Sequence, residues 1–104
     1  MQLSDKERAE EAKWQLDQDT MFRIRNRRNK LLGLWAAELM GHTGAEAESY
    51  AQAVVKSDFE KDGDDDVVDK VAADLTEAGK GDATLVRAKL TALESEARKQ
   101  ILEG

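Results

Sequence analysis

The chain is predicted to be all-α, with a four-helix bundle-like domain preceded by a mobile or loosely docked N-terminal helix. Three observations predict this. Proline is absent from the 104 residues, so no position forbids a helix. Charged residues make up 37% and aromatics 5%, which suits helices with solvated outer faces better than a sheet. Apolar residues recur at helical spacing between glycines and N-capping residues, leaving connections of only a few positions.

The first element opens with Ser4 and Glu7, the S-x-x-E spacing of a capping box. Its residues have high helix propensity, yet only Ala9, Ala12 and Leu16 share an apolar face, with Trp14 to one side. A helix this short and this thinly apolar needs a partner to become fully helical in water. Residues 17–20, DQDT, hold several possible caps and leave the break after this element undecided.

The next helix is expected from about Met21 to Met40. Phe22, Asn29, Leu32, Ala36 and Leu39 form one stripe, with Ile24, Leu31 and Trp35 beside it. Gly33 inside it is explained by close approach of a neighbouring helix, and Gly41 is a good residue to end on. Thr43 and Glu46 form a second capping box, opening a helix over about 44–59 that turns Ala47, Tyr50, Ala51, Val54, Val55 and Phe59 inward. Asp64, Asp65 and Asp66 suit the positive end of a helix over about 64–78, which buries Val67, Val68, Val71, Leu75 and Ala78. Gly79 and Gly81 stop it. Asp82 caps a last helix over about 83–102, with Leu85, Val86, Leu90, Leu93, Ala97 and Ile101 on its inner face.

Composition removes several chemistries. With no cysteine there is no disulfide, thiolate metal site or cysteine nucleophile. The single histidine, His42, sits where a helix ends and is read as structural. No residues supply nucleophile, base and orienter together, so no enzyme is expected, and no cofactor. No apolar run approaches the roughly 20 residues of a membrane span, and the N-terminus has no apolar core of a signal peptide. A cytoplasmic protein without membrane insertion is expected.

Three stretches carry candidate chemistry. Asp58 to Asp69 can be laid on a calcium loop, with Asp58, Glu60, Asp62 and Asp69 as ligands. The fit is poor: Asp65 stands where the loop needs an apolar residue, and Asp69 replaces the bidentate glutamate. A solvated acidic turn is the preferred reading. Gly79-Lys80-Gly81 lacks the upstream glycine and strand of a phosphate loop and reads as a turn. Arg23, Arg25, Arg27, Arg28 and Lys30 place five cations in eight positions of a chain whose net charge is −6. They form a possible contact surface. Nucleic-acid binding is the alternative, but aromatic interleaving is missing. Trp35 belongs to the core, whereas Trp14, on a thinly apolar helix, is a candidate binding anchor.

The stretch RRNKLLGLWAAELMG, Arg27 to Gly41, resembles the signature of the zeta subunit of alphaproteobacterial F-type ATP synthase. The resemblance extends over Asp5-Lys6-Glu7-Arg8-Ala9, Glu11-Ala12-Lys13, Phe22 and Ser57-Asp58-Phe59-Glu60. It implies a small four-helix inhibitor of ATP hydrolysis, a monomer when free. Residues 1–19 become the inhibitory segment and residues 20–104 the bundle. The segment, with Ser4, Asp5, Lys6, Glu7, Arg8, Ala9, Glu11, Ala12, Lys13, Trp14 and Leu16, is mobile when free. It is helical when inserted between catalytic alpha and beta subunits near gamma. The implied location is the cytoplasm, peripheral at the inner membrane through ATP synthase. The family commonly has phenylalanine where Trp14 stands, and its acidic turn differs at Lys61-Asp62, which favours variable surface over metal ligands.

Overall fold

A computed structural model describes residues 17–58 and 64–103. The expected first helix, its Ser4–Glu7 capping box and the inward Phe59 lie outside the described residues. Four helices are present among the described residues: α1 (Gln18–Leu39), α2 (Gly44–Ser57), α3 (Asp65–Glu77) and α4 (Ala83–Glu103). Their bounds fall within three residues of the sequence expectation.

The ends are set by local chemistry. Asp17, extended at φ −66° and ψ 164°, accepts the Thr20 backbone N–H at 2.7 Å and so caps α1. Asp82 caps α4 in the same way, accepting the Leu85 N–H at 2.9 Å. The Thr43 side chain makes no capping bond; the Glu46 N–H goes to the Thr43 carbonyl at 3.2 Å instead. Gly41, at φ 86°, closes α1: the His42 N–H reaches the Ala37 carbonyl at 2.9 Å and the Gly41 N–H reaches that of Glu38 at 3.1 Å. This pair of hydrogen bonds needs a left-handed residue at the turn, where glycine has no side chain to strain. Gly79 ends α3 by the same pattern.

The helices pack in cyclic order, α1 against α2 and α4, and α3 against α2 and α4. The core is Leu32 and Ala36 of α1, Val54 of α2, Val67, Val68, Val71, Ala72 and Leu75 of α3, and Val86 and Leu90 of α4. Trp35, Met40, Tyr50 and Leu93 close its edges half-buried. Four residues expected inside are exposed instead: Phe22 by 50%, Leu39 by 36% and Leu85 by 41%, and Ala78, which stands just past the end of α3. Periodicity assigned them the right face but not a neighbour. At 22 residues α1 runs about 33 Å, and the 14-residue α2 runs about 21 Å, so the ends of α1 project past its partner.

Gly33 is where α1 and α2 come closest. A Cβ placed there would lie 2.6 Å from the Ala51 Cα, 3.1 Å from the Ala51 Cβ and 3.2 Å from a Val54 methyl. The first of these is backbone, so the helices themselves must part to admit a methyl group. Gly33→Ala is therefore expected to destabilise by about 1–2 kcal/mol, the overpacking strain outweighing the propensity gain of about 1 kcal/mol. Adding Ala51→Gly is expected not to restore stability, because the clash is with Cα. A thermal melt decides: a midpoint as high as wild type means the helices separate at little cost.

Candidate functional site

The basic run lies on the second to fourth turns of α1, and helical period splits it between two faces. Arg25 and Arg28, three apart, turn toward the bundle. Arg23, Arg27 and Lys30 follow one another at i, i+4 and i+7 along the outer surface.

On the inner face Arg25 grips Asp58, the residue that ends α2. Its Nε donates to Asp58 Oδ2, and its Nη2 donates to Oδ1 at 2.9 Å. Asn29, wholly buried one turn further on, donates its Nδ2 to Asp58 Oδ2 at 2.9 Å. A carboxylate at a helix C-terminus faces the negative end of the dipole, so Asp58 needs such cationic and amide donors to be held there. Its side chain is only 6% exposed. Arg28, 3% exposed, donates its Nε to Asn29 Oδ1 at 3.0 Å. It also pairs with Asp64 at 2.9 Å and with Glu94 of α4 at 3.2 Å. Asp64 thus answers Arg28 rather than capping α3 with its side chain. Adjacent arginines hold both ends of the acidic turn.

The calcium-loop residues are not free to gather round an ion. Asp58 gives both oxygens to Arg25 and Asn29, Asp69 is exposed on α3, and Glu60 and Asp62 lie outside the described residues. Among the described residues no group of three or more His, Cys, Asp or Glu could hold a metal ion.

The outer stripe is more open. Arg23 and Arg27 are exposed, and the Lys30 side chain, 42% exposed, reaches Glu48 of α2 at 3.0 Å. With Asn26, Val55 and Ile101 they edge a shallow depression between α1, α2 and the end of α4. The Asp17 carboxylate is held below its usual pKa by the Thr20 hydrogen bonds, with a smaller contribution from the Arg23 cation. The cap therefore stays ionised over ordinary pH.

At the middle of α2, Tyr50 donates its hydroxyl to Asp74 Oδ2 at 2.7 Å, and Lys70 reaches the same oxygen at 3.2 Å. Burial, then the Asp74 carboxylate, push the Tyr50 hydroxyl pKa upward, so it remains a donor. His42 sits beside the Tyr50 ring and 3.8 Å from Glu46, in keeping with a structural role.

A third feature was not visible in the sequence. Met21 and Phe22, 54% and 50% exposed, border a groove of about 540 Å³ between the starts of α1 and α3 and the later turns of α4. Ile24, Arg28, Glu94 and Arg98 also line it. Phe22 lies at the end of the apolar stripe of α1, and helical period alone does not show how far that stripe is covered. Ser4 to Leu16 lie outside the described residues. No helix among the described residues is long and apolar enough to cross a membrane.

The family model described as ATPase inhibitor subunit zeta matches residues 1–100. A protein solved by solution NMR, 48% identical, superposes with a TM-score of 0.71 over 79% of this chain and 94% of that one. No curated protein sequence matches the chain.

Proposed function

The chain belongs to the ATPase inhibitor subunit zeta family, and on that premise we propose that residues 1–19 form its inhibitory segment and residues 20–104 its anchoring bundle. The segment enters as a helix between a catalytic alpha and beta subunit near gamma. The wedge blocks ATP hydrolysis because that interface must change shape in each cycle. It needs no catalytic group of its own.

The observation that carries this reading is the extent of the family match, which runs from residue 1 through both the segment and the bundle. Sequence physics agrees. A capped, charged helix with little apolar area is suited to fold on binding, and its charges set register across an interface. The outer stripe of Arg23, Arg27 and Lys30 is the accessible part of the basic run and serves as the secondary contact. Arg25 and Arg28 position the bundle rather than the partner. On this reading the protein works in the cytoplasm, at the inner membrane surface through ATP synthase, and is a monomer when free.

The test is titration of the purified ATP synthase head with the full chain, following ATP hydrolysis. Saturating inhibition near one copy per head is expected. Trp14→Ala is expected to raise the half-inhibiting concentration about 30-fold, the effect of losing a central aromatic anchor worth about 2 kcal/mol. Hydrolysis unaffected by excess full-length protein sinks the proposal.

A further inference from the structure

The cations at the start of α1 divide by what they touch. Arg25 and Arg28 are spent inside the molecule on Asp58, Asp64 and Glu94. Arg23 and Arg27 are exposed, and neither closes a salt bridge among the described residues. We propose that the trough along the α1–α2 seam is a docking surface for an acidic amphipathic helix of a partner protein. Its carboxylates meet Arg23, Arg27 and Lys30, and an apolar side chain settles on Val55 and Ile101. That this partner is a subunit of the ATP synthase head rests on the function proposed above; the chemistry of the surface does not.

Three observations carry the proposal. The first is continuity. Two depressions of about 370 Å³ and 230 Å³ adjoin and share Lys30 and Val55. Arg23 and Arg27 edge one, Lys56 edges the other, and Val55 and Ile101 supply half-buried aliphatic surface. Cations around a small apolar floor are the complement of an acidic helix with one apolar stripe. The second is spacing. Arg23, Arg27 and Lys30 rise along α1 by about 6 Å and then about 4.5 Å. Carboxylates at i, i+4 and i+7 of a helix laid alongside rise by the same steps. Lys30 is held by Glu48 in a pair whose side chains are 42% and 47% exposed. Such a pair contributes little, so an incoming carboxylate displaces Glu48 at little cost. The third is the kind of anion the surface suits. No aromatic side chain among the described residues lines either depression, so bases have nothing to stack on. The net charge of −6 repels an extended polyanion or an anionic bilayer. A single short helix feels mainly the local cations, because exposed charges beyond about 8 Å are screened at physiological salt.

The test uses the full chain and a synthetic helical peptide with glutamates at i, i+4 and i+7 and leucines on the same face, followed by amide NMR shifts. Saturable shifts are expected at Val55, Lys56 and Ile101 and from Arg23 to Lys30, with binding that weakens as salt is raised. Arg27→Glu is expected to weaken binding about tenfold, because a like charge then faces the glutamates. Ile101→Ser, near the end of α4, is the second variant and is expected to weaken it about threefold. A peptide with glutamine for glutamate is expected not to bind.

No binding of the acidic peptide, or binding unmoved by Arg27→Glu, overturns the surface. Tighter binding of a single-stranded RNA or of phosphatidylserine vesicles at the same residues overturns it too, by giving the stripe to a polyanion. So do shifts of the free protein that change on dilution, which place the acidic α3 of a second copy in the trough. In the ATPase titration Arg27→Glu is expected to raise the half-inhibiting concentration about tenfold and leave maximal inhibition unchanged. Peptide binding that needs Arg27, beside inhibition that does not, overturns the assignment to the head. Arg27-dependent peptide binding by a chain that never inhibits leaves the surface standing and the inhibitor reading fallen. Inhibition by a chain that ignores the peptide does the reverse.

Discussion

Deleting residues 1–16 is expected to abolish inhibition of ATP hydrolysis while leaving the bundle folded. The core among the described residues runs from Ile24 to Ala97, so the deletion removes none of it. Asp17 and its bond to Thr20 remain, which keeps the start of α1 capped. A cut after residue 19 would take the cap as well, so the boundary matters when the two effects are to be separated. Helicity should persist, and the unfolding midpoint in urea should move little. On the proposed function, the bundle without its wedge can occupy its anchoring contacts but leaves the catalytic interface free to open. The truncated protein is therefore expected to compete with the full chain and relieve its inhibition, since bundle and segment contribute to one bivalent attachment. Full inhibition by the truncated chain would place the activity in residues 17–104 and overturn the assignment.

Asp58→Ala is expected to give the largest loss of stability of any single polar substitution in the bundle, about 2–4 kcal/mol. Removing the carboxylate leaves the buried Asn29 amide and the Arg25 guanidinium without their common acceptor. Breaking a fully buried pair costs about 3–5 kcal/mol. The lower range applies here because the Arg25 side chain is 37% exposed and can recover water. The midpoint of thermal unfolding should fall by about 10–25 °C in a domain of this size. Asp58→Asn should recover only part of the loss: its amide keeps the shape but offers one acceptor where two oxygens served three donors. Arg25→Ala combined with Asp58→Ala should cost less than the two single changes added, the sign of a shared interaction. Simple additivity would mean that the clamp contributes nothing beyond its separate parts.

How much of this was legible beforehand depends on the range of the interaction. The helices were, because glycines, aspartate caps and apolar spacing act within a few residues. The explanation of Gly33 was also available, since a glycine inside a strong helix pattern implies a close neighbour; which neighbour was not, because Ala51 is 18 positions away. Leu39, Leu85 and Phe22 were misplaced for one reason. A helix period fixes which way a side chain points but not whether the opposing helix reaches that far. Leu85 instead lies over the backbone at Gly81, at the first turn of α4. The division of the basic run into two inner and three outer cations could have been counted from the helical period alone. Its pairing with Asp58, Asp64 and Glu94 could not, since those partners lie 33, 36 and 66 positions away. The groove depends on where α4 crosses the start of α1, and no local pattern encodes that.

Arg25 and Arg28 grasp Asp58 and Asp64 from a single helix, one on each side of the intervening five residues. The span between those two anchor points is fixed by α1, not by the connecting chain. Residues 59–63 therefore carry little of the burden of registering α2 against α3. Doubling their number should add only about 0.6 kcal/mol of closure entropy. That makes the connection between α2 and α3 the natural place to graft a fluorophore, an epitope or a tether without touching the core.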